Sequence, residues 1–109
     1  LRVGFNIDTA TVTVLIIFSE DDSVVQIVAR EFARIPADKI VSMYKVCNDC
    51  NSSYRWACFY VDEDDGEIIC KADAEIQLDS CAEEIFNIVM RVVGIVKDAL
   101  PKFMKAMWS

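Results

Sequence analysis

The chain has 109 residues, 18 acidic against 11 basic, and a net charge of −7 with no histidine. That length is one domain, read here as residues 1–109, and the acidic balance argues against nucleic acid and anionic membrane surfaces as partners. Hydrophobic residues make up 54%, high for a small chain that must coat itself with polar groups, so a dimer that hides apolar surface is expected.

The elements follow in order. Leu1–Phe5 is short and apolar enough for a strand, with Asn6–Ala10 as a turn. Thr11–Phe18 is rich in β-branched residues and reads as a second strand. Ser19–Ser23 is a polar turn. Val24–Ile35 is read as a third strand, with Val25, Ile27, Ala29, Ala33 and Ile35 on one face and Val24, Val28 and Phe32 among Gln26, Arg30 and Arg34 on the other. Pro36 suits a helix start, and Ile40, Tyr44 and Cys47 with Met43 and Cys50 make one stripe of a helix over residues 37–51. A hairpin follows around Asp62–Gly66. A three-residue turn with Gly66 at the bulge position sets Glu63 opposite Glu67, Tyr60 opposite Cys70, Cys58 opposite Ala72, Trp56 opposite Ala74 and Tyr54 opposite Ile76; a slip of one residue would invert that pairing. Ser80 and Glu83 fit a capping box ahead of a long helix towards Trp108. Its polar stripe is Glu84, Asn87, Arg91, Asp98, Lys102 and Lys105, and its apolar face is too broad for one sheet to cover. Pro101 should kink or break it, and Gly94 either weakens it or permits close packing. The order β-β-β-α-β-β-α predicts an α+β fold, an antiparallel sheet with helices on one face. The longest apolar runs fall far short of the roughly 20 residues of a membrane helix.

Three patterns invite a chemical reading. Cys47 and Cys50 form a C-x-x-C pair, the basis of an alternative reading as a metal-binding or redox protein. A structural zinc site needs four ligands, so Cys58, Cys70 or Cys81 would have to join. A reactive pair belongs at a helix N-terminus, whereas this one falls at a C-terminus beside Asp49, where thiolate is disfavoured. Two buried thiols on one helix face are the simpler reading, and five cysteines in apolar patterns suit a reduced, cytoplasmic protein. The acidic turn around Asp62–Glu67 lacks the spacing of a calcium loop and reads as a solvated turn. Asp73 and Glu75 share a face with Lys71 and read as solvated too. With no histidine and Gly4, Gly66 and Gly94 scattered, neither a general base nor a phosphate loop is evident, so no catalytic, cofactor or metal residues are assigned. The remaining clue is surplus apolar surface, which points to protein contacts: Val24, Val28, Phe32, Met104, Met107 and Trp108 are the candidate surface, with Leu15 and Ile17 beside them.

Several spaced features together resemble the YbjN family of bacterial sensory transduction regulators. They are Ile35-Pro36-Ala37-Asp38-Lys39 after the third strand, Asn48 and Asn51 at a helix end, the aromatic strand ending in Gly66, Asp73 in the next strand, and Pro101 and Trp108 in the last helix. The resemblance covers nearly the whole chain. It implies a fold similar to type III secretion chaperones, which begin with an extra N-terminal helix that this sequence lacks, as a shortened chain would. It also implies a non-enzymatic, dimerising protein-binding module whose partner is unidentified, and it carries no established catalytic residues.

Overall fold

The computed structural model describes residues 2–7, 10–19, 24–54, 56–75 and 81–108, with Cys81 described in its backbone only. Strands β1 (Arg2–Ile7), β2 (Ala10–Phe18) and β3 (Val24–Arg30) are followed by a 3-10 turn (Ala37–Lys39) and helix α1 (Ile40–Ser53). Then come β4 (Cys58–Asp62), β5 (Glu67–Glu75) and helix α2 (Cys81–Trp108). The five strands form one antiparallel sheet in the order β1-β2-β3-β5-β4. β3 and β4 therefore run the same way, one strand apart. Parallel strands need a crossover, and α1 supplies it while β5 turns back into the gap.

The sheet is apolar on one face by simple alternation. Val12 and Val14, Val25 and Ile27, Ile68 and Cys70 all point to the side where α2 lies, and Met43, Cys47 and Cys50 of α1 join the same core. α1 packs along β4 and α2, so both helices contribute to one core. Phe59 of β4 and Phe103 of α2 meet there with ring centroids 5.3 Å apart. Burying each such ring contributes about 1.5–3 kcal/mol.

Several local expectations change. β1 extends to Ile7, which pairs with Ala10, so the first turn is shorter than expected. β3 stops at Arg30, because Glu31 adopts a left-handed backbone (φ 64°). Continuing the β3–β5 register would put Phe32 opposite Glu67, but Arg34 takes that place, so two extra residues bulge out. Ala33 and Ile35 still bond to Ile68 and Gly66 through the backbone, and Phe32 turns inward to the core instead of standing on the outer face. Along α1, Tyr44 lies at the exposed edge of the predicted stripe.

The hairpin register is one residue away from the predicted one. Asp62, not Glu63, faces Glu67, and Phe59 faces Cys70. The cause is a four-residue loop: the Gly66 N–H donates to the Asp62 carbonyl at 2.8 Å, and the Asp62 carboxylate accepts from the N–H groups of Asp64 and Asp65. Gly66 sits at φ 64°, where only glycine is unstrained. The slip sends Phe59 and Val61 inward and Tyr60 and Cys58 outward. The predicted Tyr54–Ile76 pair and the Ser80 cap fall on residues outside those described. α2 runs through Pro101 without a break, with its ring on the exposed side of the helix. Gly94 is also exposed, with nothing near a would-be Cβ, so it serves no close packing.

Candidate functional site

Four cysteines converge where α1 meets β4 and β5. Cys47 and Cys50 lie on the buried stripe of α1, Cys70 lies on the inner face of β5, and Cys58 opens the edge strand with its side chain exposed. Burial pushes the Cys47 and Cys70 thiols up to about 12, with neighbouring thiols adding to the effect. Cys50 is raised as well, by burial first. All three are neutral thiols at physiological pH, poor nucleophiles and poor ligands until deprotonated. Among the described residues no three histidine, cysteine, aspartate or glutamate side chains are grouped closely enough to hold a metal. The C-x-x-C pair is packed into the core at the end of a helix.

A polar concavity lies at the Arg30 end of β3. A hollow of about 580 Å³ is lined by Arg2, Arg30, Arg34, Glu31, Asp65 and Glu67, among others. Arg30 reaches Asp65 at 2.8 Å, Glu67 at 3.4 Å and Asp62 at 3.6 Å. The hydrogen bond to Glu67 holds its guanidinium more firmly protonated than usual, against the opposing effect of burial. Glu67 is buried, and its other oxygen accepts the Glu31 backbone N–H at 3.0 Å. A buried carboxylate needs such partners. The left-handed Glu31 is therefore held by a clamp between the β3 bulge and the hairpin. The sequence reading missed this clamp, because it took the acidic turn as merely solvated. The available signal was Arg30 and Arg34 on one strand face opposite an acidic turn.

A second fastening joins the helices. The Tyr54 hydroxyl donates to Asp98, while the Lys102 ammonium donates to the Tyr54 oxygen at 3.2 Å and lies 4.8 Å from its ring centroid. Burial, then the bond to Asp98, raises the Tyr54 phenol above its ordinary value. That keeps it protonated and structural. Arg91 similarly covers Trp56, 5.1 Å from the ring centroid.

The six candidate surface residues divide. Phe32 (3% exposed) and Met107 (1%) belong to the core and offer no surface. The bulge at Glu31 accounts for the first, and the inward phase of α2 for the second. Val28 is nearly buried on the outer sheet face between Leu15 and Lys71, and Val24 is half-buried. Met104 is half-buried and Trp108 is 71% exposed. The structure adds Phe86 and Met90 on α2 and Val41 and Tyr44 on α1 to the exposed apolar side chains. Periodicity alone placed Phe86 in the broad apolar face without showing that nothing covers it.

A sequence profile described as "YbjN: Putative bacterial sensory transduction regulator" matches residues 5–103. The chain belongs to the YbjN family. The match takes in the β3 bulge, the cysteine-lined core and the Glu67 clamp, while Trp108 lies beyond it. No curated protein matches the chain. The YbjN region holds a sheet with an inner face closed by helices, and no described helix is long and apolar enough to cross a membrane.

Proposed function

We propose that this YbjN chain is a non-enzymatic protein-interaction module of a bacterial regulator, regulatory or chaperone-like, working as a homodimer in the cytoplasm. One observation carries the reading. Large apolar side chains, Val41, Trp108 and Phe86 foremost among the described residues, remain in water, while Arg30, Asp65 and Glu67 at the polar hollow are engaged in holding the fold. Exposed apolar groups of that size suit contacts with protein, and the net charge of −7 disfavours nucleic acid and anionic lipid as the other party. Native mass spectrometry of the reduced, purified chain tests it, since one spectrum reads subunit number and bound metal together. A metal-free dimer supports the proposal. A stoichiometric mass increment for a thiophilic metal overturns it in favour of the cysteines, and a metal-free monomer at every concentration removes the homodimer.

A further inference from the structure

The sheet has two edges, and they are finished differently. Along β4 the Asn51 side chain imitates a neighbouring strand. Its amide nitrogen donates to the Phe59 carbonyl at 3.0 Å and its amide oxygen accepts the Phe59 N–H at 2.7 Å. α1 packs alongside, so no strand can add at Phe59. Among the described residues β1 has no such cover. All six of its residues pair with β2 on one side, and no described strand lies on the other. Exposed edges are ordinarily blunted by proline, lysine, inward charge or a bulge. β1 has none of these, and the one charge it carries, Arg2, is engaged by Glu31 at 2.9 Å.

Resting on the reading above, we infer that β1 is the dimer seam: a second copy pairs its own β1 antiparallel to this one and continues the sheet. Charge selects the occupant. Most surfaces of a chain with 18 carboxylates repel a second copy, but none of the 18 lies on β1. Antiparallel self-pairing of a six-residue strand also sets the two Arg2 side chains at opposite ends, about 17 Å apart at 3.4 Å per residue. A parallel partner would stack them. Every pair already in this sheet is antiparallel. The inner side of the seam is apolar and incompletely covered, with Val3 exposed and Phe5 half-buried. On α2, Arg91 and Lys102 hold the flank facing Trp56 and Tyr54. Helical periodicity puts Phe86 and Met90 on the opposite flank, the side towards β1.

The test is amide hydrogen exchange on the reduced chain across a dilution series, paired with the double variant Val3→Glu, Gly4→Glu. Val3 is exposed and Gly4 has open space beyond its Cα, so the folded monomer tolerates both changes, as its thermal melt will show. The variant places four carboxylates in one seam. Concentration-dependent protection within Arg2–Ile7, and a dimer weakened at least about ten-fold by the variant, is the expected result. Protection elsewhere with an unaffected variant overturns the seam and leaves the homodimer standing. A chain that stays monomeric at every concentration overturns both.

Discussion

Cys47 and Cys70 illustrate how a residue's surroundings decide its chemistry. Their thiols are raised to about 12 because the thiolate would lose its hydration among apolar neighbours. The folded state therefore holds protons that the unfolded chain releases near 9, so stability is level below about pH 9 and falls as pH rises from about 9 towards about 12. The slope is at most ~1.4 kcal/mol per pH unit for each thiol. Urea unfolding under reductant at pH 8 and pH 10.5 should show this loss, and Cys70→Ala should reduce it. A thiol reagent on the native chain should reach Cys58 quickly and Cys47, Cys50 and Cys70 only on unfolding, which mass spectrometry of the labelled peptides will read. At Gly94 the backbone is helical and a methyl group meets only solvent, so Gly94→Ala should raise stability by about 0.5–1 kcal/mol in the same titration.

At the scale of elements, the decisive joints are made by polar side chains acting on backbone. Asn51 closes the β4 edge, and Asn51→Ala should cost about 1–3 kcal/mol by leaving the Phe59 N–H and C=O without partners. The variant should also aggregate faster, read by light scattering, because a second edge is then open. Glu67 ties the bulge at Glu31 to the hairpin. Glu67→Ala should cost about 2–4 kcal/mol by stranding the Glu31 N–H and removing the carboxylate closest to burial beside Arg30. The elements' existence and order were legible from β-branched runs and helical stripes, and all seven appear. The hairpin register was not, since it depends on whether Asp62 caps a four-residue loop or Gly66 closes a three-residue one. Nor was the end of β3: Glu31 is an ordinary residue for a strand, and its left-handed backbone follows from an anchor on Glu67, 36 residues away.

Across the whole molecule, charge and apolar surface work against one another. Two chains of −7 repel, so any contact formed through apolar side chains and an acid-free strand should tighten as salt screens that repulsion. Sedimentation equilibrium at low and high ionic strength checks this, and a dimer that dissociates in salt would instead point to ion pairs. The broad apolar face of α2 was visible in the sequence. Which part of it is core and which part faces water depended on how α1, β4 and the sheet divide the space around the helix. That division buries Met107 and leaves Trp108, its neighbour, exposed.

Periodicity, composition and a set of spaced residues determined from sequence alone the α+β class, the order of elements, the YbjN resemblance and the shared buried face of Cys47 and Cys50. These features are local, or nearly so, and each is repeated along its own segment. The β3 bulge, the hairpin register, the inward turn of Phe32, the Glu67 clamp and the contrast between a capped and an open sheet edge were decided only by the tertiary structure. Each depends on a single partner far away in the chain, and a one-residue difference in backbone path reverses which side of the sheet a side chain meets.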